Sequence, residues 1–86
     1  RDDLHLTNEI KNSVMDRCAK GEITHIGTRP VTLYENLDGH KFFVGDGEWI
    51  MVRASGTEPV LRVYGQASDF GKTRELIEAA KKTLLG

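Results

Sequence analysis

Leu6, Ile10, Val14 and Cys18 recur every four residues, with Met15 beside them, and this spacing lays an apolar stripe along a helix predicted over residues 7–20. Thr7 offers the hydroxyl of an N-cap, and Gly21 is the residue type that stops a helix just past its end. After a loop holding Gly27 and Pro30, the composition turns to that of strands. Val31 to Asn36 forms the first strand, the Asp38-Gly39 turn leads into Lys41-Phe42-Phe43-Val44, and Gly45-Asp46-Gly47 signals a second turn. Trp49 to Ala54 and Val60 to Gln66 are the third and fourth strands, both rich in aromatic and β-branched residues. Asp69 or Ser68 caps a closing helix. Leu76, Ala80 and Leu84, flanked by Ile77 and Thr73, give that helix one buried face, while Lys72, Arg74, Glu75, Glu78, Lys81 and Lys82 stay in water.

The three connections between strands are too short for parallel crossovers, so the sheet is expected to be an antiparallel meander. The pattern therefore predicts an α+β fold: a two-layer sandwich with a four-stranded antiparallel sheet and two helices on one face. The opposite face is left free to meet a neighbouring domain. With 86 residues the chain makes one domain and buries roughly two-thirds of its unfolded surface.

Hydrophobic content of 38% and charged content of 29% are those of a folded globular chain and exclude a disordered one. No run approaches the ~20 apolar residues of a membrane-spanning helix, and the opening Arg1-Asp2-Asp3-Leu4-His5 has no apolar signal segment. Opening without methionine, the sequence reads as a cut from a longer chain. Cys18, the single cysteine, lies on the apolar stripe and is expected to be buried; with no disulfide partner it points to a reducing, cytoplasmic setting.

Basic and acidic residues number 12 and 13, a net charge of −1, so nothing global draws the chain to nucleic acid or to an anionic membrane. Any anion site has to be local. His5, His25 and His40 lack the spacing of a metal site and fall near an end or loops, where solvated side chains are expected. Asp2-Asp3 and Asp46/Glu48 resemble carboxylate pairs, but turn and cap chemistry accounts for them. Trp49, at the far end of its strand from the polar loop at residues 53–59, reads as a core or interface residue.

That loop is Arg53-Ala54-Ser55-Gly56-Thr57-Glu58-Pro59, with Arg62 beyond it. Arg53 carries a planar fork of donors, Ser55 and Thr57 add hydroxyls, and Gly56 can take positive φ, so that successive N–H groups converge on one anion. Pro59 has no N–H and marks the return to strand. The plainer reading is a hairpin connection whose polar groups satisfy its own backbone. Glu58 would repel an anion, so it should point away and pair with Arg62 or Arg53; Arg62 is either a ligand or a surface charge.

The segment Asp46 to Tyr64, with Arg53-Ala54-Ser55-Gly56-Thr57-Glu58-Pro59 at its centre, resembles the phosphate-binding segment of the C-terminal domain of the phosphohexomutases. These are the phosphoglucomutases, phosphomannomutases and phosphoglucosamine mutases, multidomain enzymes that move a phosphoryl group between the 1- and 6-positions of a hexose. The resemblance implies a TATA-binding-protein-like fold and phosphate contacts from Arg53, Ser55, Gly56 and Thr57. It also implies a hexose phosphate substrate, and upstream domains that carry the phosphoserine, the Mg²⁺ and the sugar-reading loop. No catalytic or metal-binding residue falls in residues 1–86 on this reading, which makes the chain by itself inactive. Some members have Asn where Gly56 stands and many have Pro where Ala54 stands; neither difference names the sugar.

A different class of function, a stand-alone binding module, is suggested by Lys41-Phe42-Phe43-Val44, which is faintly similar to the aromatic strand of an RNA-recognition motif. Near-neutral charge and an aromatic content of 7% weigh against it.

Overall fold

Two helices and seven short strands make up the computed structural model, which describes residues 1–86. In chain order they are β1 (Asp2–His5), α1 (Asn8–Ala19), β2 (His25–Ile26), β3 (Arg29–Pro30), β4 (Leu33–Asn36), β5 (His40–Gly45), β6 (Glu48–Ala54), β7 (Val60–Gln66) and α2 (Phe70–Leu85). The main sheet is antiparallel throughout, in the order β1-β7-β6-β5-β4. The chain is thus an α+β two-layer sandwich, with five strands in the sheet where the sequence pattern predicts four.

The helix ends follow from local chemistry. Thr7 accepts the Ile10 N–H at 3.2 Å and Asp69 accepts the Lys72 N–H at 2.8 Å, each satisfying a donor that the first turn of a helix leaves free. Gly21 takes φ +75°, which lets the chain turn back while the Glu22 N–H reaches the Arg17 carbonyl at 3.0 Å.

Period-two alternation decides which side chains meet the helices. Phe42 and Val44 of β5, Ile50 and Val52 of β6, and Leu61 and Val63 of β7 are buried in one cluster with Val14 and Cys18 of α1 and Leu76, Ile77, Ala80 and Leu84 of α2. Both helices therefore cover the same face. The intervening residues Lys41, Phe43, Trp49, Met51, Arg62 and Tyr64 are half-buried on the open face, where the Lys41 ammonium sits 4.3 Å from the Trp49 ring centroid. Cys18 is fully buried as expected, and burial pushes its thiol pKa up to about 11.

Four features depart from the pattern reading. Residues 25–30 are a miniature hairpin, not a loop; Gly27 turns it with φ +63°, and Ile26 inserts into the core against α2. His40 is buried, not solvated: it lies on the inner side of the β5 start, its Nδ1 is 2.5 Å from the Tyr34 hydroxyl, and burial lowers its pKa. Glu48 is no cap but the partner of Arg29, at 2.6 Å. Asp2-Asp3 is not turn chemistry either, since it belongs to an edge strand paired with β7.

Strand β1 exists in spite of its composition, because Asp is a poor strand former and propensity alone favours a turn. Its ladder with β7 and the cations of α2 override that preference. Asp2 faces the helix layer and receives two bonds from Arg74 and one from Lys81, each at 2.8 Å, with Leu4 packed against the core beyond it. Arg74, and after it Lys81, hold the Asp2 carboxyl well below the usual carboxylate range.

A group whose native pKa is lowered stabilises the fold above its unfolded value of ~4, and that contribution disappears as acid protonates it. Asp2→Asn is expected to reduce stability at neutral pH, and the gap from the unaltered chain is expected to narrow as pH falls below about 4. Urea unfolding at several pH values measures this, and a gap independent of pH would contradict the assignment.

Candidate functional site

The turn between β6 and β7 is closed by the Ser55 N–H, which donates to the Val60 carbonyl at 3.0 Å, and by the Val60 N–H, which donates to the Glu58 carbonyl at 2.8 Å. Ser55 is itself buried, and its Oγ lies 3.4 Å from the Thr57 nitrogen and 3.3 Å from the Glu58 nitrogen. The hydroxyl thus serves the loop's own backbone as an acceptor, as the plainer hairpin reading requires, while its proton has no acceptor within the protein. Gly56, Thr57, Glu58 and Pro59 are all exposed.

Gly56 does not adopt the expected positive φ; the glycines that do are Gly21, Gly27 and Gly47. Strain is therefore not the reason for glycine here. A Cβ added at Gly56 would meet nothing within 4 Å, so the missing side chain leaves open space over the loop instead. The Gly56 N–H has no acceptor in the protein.

Arg53 and Arg62 are brought together by register, as direct cross-strand partners on the open face of β6 and β7. Like charges placed opposite each other are unfavourable unless an anion lies between or beside them. Asp3 follows in the same row on β1, but its Oδ1 is 4.0 Å from the Arg62 Nε and closer, at 3.2 Å, to Arg1. The Arg62 Nε is buried and has no hydrogen-bond partner, a cost that an acceptor arriving at this face would relieve. Glu58 forms no ion pair with Arg53 or Arg62; the expected pairing is absent, and its carbonyl carries the contacts instead.

Two further residues complete the surroundings. Lys11 of α1 reaches across to the carbonyls of Ser55 and Glu58, at 3.3 Å each. Gly39 of the β4–β5 turn is pressed beneath Arg53: a Cβ there would stand 2.6 Å from the Arg53 Cγ and 2.9 Å from the Val52 carbonyl oxygen. In the sequence, Lys11 is one polar residue on a helix and Gly39 an ordinary turn glycine. Neither carries a local signal, because both act across the fold.

The sequence model of the phosphoglucomutase/phosphomannomutase C-terminal domain matches residues 9–82. The chain belongs to this family. It is 44% identical over 50 residues, 58% of its own length, to a phosphoglucomutase/phosphomannomutase of Thermococcus kodakarensis, covering 11% of that protein. It is 32% identical over 77 residues, 90% of its length, to a phosphopentomutase of the same organism, covering 17% of it. To a phosphoglucosamine mutase of Methanococcus vannielii it is 36% identical over 77 residues, again 90% of its length and 16% of the relative's. The chain thus spans only 11 to 17% of the lengths of these curated mutases. No helix is long and apolar enough to cross a membrane.

The Gly39 contact generates a prediction for this mutase-family domain. Gly39→Ala drives a methyl group into Arg53 and into the β6 backbone, an overpacking expected to cost about 1–3 kcal/mol. The Arg53 amide and side-chain Nε–H resonances should move with it. Unchanged stability together with unshifted Arg53 signals would show that Gly39 does not shape the Arg53 conformation.

Proposed function

We propose that residues 1–86 are the phosphate-holding C-terminal domain of a larger sugar-phosphate mutase, and that the loop at 53–58 grips the phosphate that is not being transferred. The observation that carries this reading is the facing pair Arg53 and Arg62 beside an exposed loop whose Gly56 N–H is unengaged. Arg53, Ser55, Gly56 and Thr57 are the assigned contacts, as the resemblance implies. Arg62 joins them because its buried Nε lacks an acceptor.

The role is positional. Phosphoryl transfer depends on alignment and on charge stabilisation, so a firm hold on the remote phosphate turns binding energy into orientation of the reacting hydroxyl. A guanidinium fork, two hydroxyls and a backbone N–H read the shape of a phosphate and are indifferent to the sugar attached. That suits an intermediate with two phosphates, which has to present each of them to the same grip as it turns between transfers. It also suits relatives named for glucose, mannose, glucosamine and pentose phosphates. A hexose phosphate interconverted between its 1- and 6-forms is the assigned substrate, with the other domains of the parent chain as partners.

Mg²⁺, which the family uses, would neutralise charge on the transferring phosphoryl group. The residues of this chain do not fit it: no group of three or more His, Cys, Asp or Glu side chains is placed to hold a metal ion. No step is therefore assigned to a metal here. A cytoplasmic setting is part of this proposal, supported by the single Cys18 being free of any disulfide.

Separated from the rest of a substrate cleft, one phosphate loop should bind weakly, with an affinity on the order of millimolar. Titration of the chain with hexose phosphate should shift the amides of residues 53–58 first, and the chain should show no mutase turnover. Shifts centred on Lys41 to Val44 in response to RNA would instead favour a nucleic-acid-binding module.

In the parent mutase, Arg53→Lys keeps the charge but loses the two-pronged donor, at about 1.5–3 kcal/mol. That is roughly a ten- to hundred-fold fall in kcat/KM. Gly56→Val should fill the open space over the loop, lowering kcat/KM with little change in Tm, since the backbone there is unstrained. Full activity in both variants would remove the loop from the substrate site.

A further inference from the structure

We propose that Lys11 on α1 is a positioning residue that shapes the 53–58 loop for its anion, an inference that rests on the phosphate-grip reading. The N-terminal segment ties the loop from one side. The Leu6 N–H donates to the Pro59 carbonyl at 2.9 Å, and the Lys11 ammonium donates to the carbonyls of Ser55 and Glu58 at 3.3 Å each. Three of the loop's carbonyl oxygens are thereby held by residues 6 and 11 of the N-terminal segment.

Peptide planarity turns this into a statement about the other side. All peptide bonds are trans, and across a trans peptide the C=O of one residue points opposite to the N–H of the next. Holding the Ser55 carbonyl against Lys11 therefore aims the Gly56 N–H away from the Lys11 ammonium, and it meets no acceptor within the protein. The Glu58 carbonyl, held also by the Val60 N–H at 2.8 Å, is engaged by the same ammonium.

Lys11 does this from a half-buried position, and the carbonyls it holds belong to residues 44 and 47 positions away. Its charge also neutralises carbonyl dipoles beneath the site. Without it the 55–56 peptide plane is free to rotate, and the Gly56 donor loses its fixed direction.

The test uses the 86-residue chain, with inorganic phosphate as the probe. Lys11→Met keeps most of the aliphatic stem and removes the ammonium; Lys11→Arg restores a donor that reaches both carbonyls. In the ligand-free protein the Gly56 and Thr57 amide resonances should move in Lys11→Met and return in Lys11→Arg. The phosphate Kd should rise about tenfold in the first variant and recover in the second.

Unmoved Gly56 and Thr57 amides in Lys11→Met overturn the proposal. So does weaker phosphate binding without any amide change, which would assign Lys11 to charge attraction alone. If phosphate shifts no amide between 53 and 58 in the unaltered chain, the phosphate reading fails, while the ligand-free amides still decide whether Lys11 shapes the loop. Should Lys11→Met lose the fold, Lys11→Gln, a neutral donor of shorter reach, gives the same two readouts.

Discussion

The register between β6 and β7 is the constraint on which the rest depends. It pairs Val52 with Val63 on the inner face and Arg53 with Arg62 on the outer face. Because side chains alternate with period two, a slip of one residue would bury both arginines and expose the centre of the core. The cost of burying two uncompensated guanidinium groups is far greater than any local preference of the turn. One set of backbone hydrogen bonds therefore fixes the core, the open face and the site together.

The two faces of the sheet then take different physical duties. The inner face, with Ile50, Val52, Leu61 and Val63 essentially inaccessible, supplies the apolar burial that holds α1 and α2. On the outer face polar and aromatic residues are mixed, with Lys41 lying over Phe43 and Trp49 and a row of charge running through Asp3, Arg62 and Arg53. Strand β1 connects the two. Asp2 points inward to Arg74 and Lys81 while Asp3, next in sequence, points outward to Arg1 and Arg62, so adjacent carboxylates serve opposite faces.

The loop owes its form to elements far from it in sequence. Residues 6 and 11 hold its carbonyls and Gly39 limits where the Arg53 stem can lie. Loops that bind ligands work best when a rigid scaffold sets their shape, since disorder lost before binding is not lost during it. On the proposed phosphate-grip reading, a helix and a neighbouring turn supply that scaffold.

The residues alone determined the two helices with their Thr7 and Asp69 caps, the Gly21 stop, the strands β4 to β7 and the antiparallel meander, because all of these rest on local spacing and turn chemistry. The loop at 53–58 was legible for the same reason: its residue types are contiguous. The tertiary structure decided what contiguity cannot encode. β1 is a strand because α2 offers cations to Asp2, His40 lies buried on the inner face with Tyr34 stacked on it, and Gly56 has open space over it and no positive φ. Lys11 and Gly39 reach the site only when the sheet and helix layers have packed. Their contribution is a distance in space between residues remote in the chain, and no periodicity carries that.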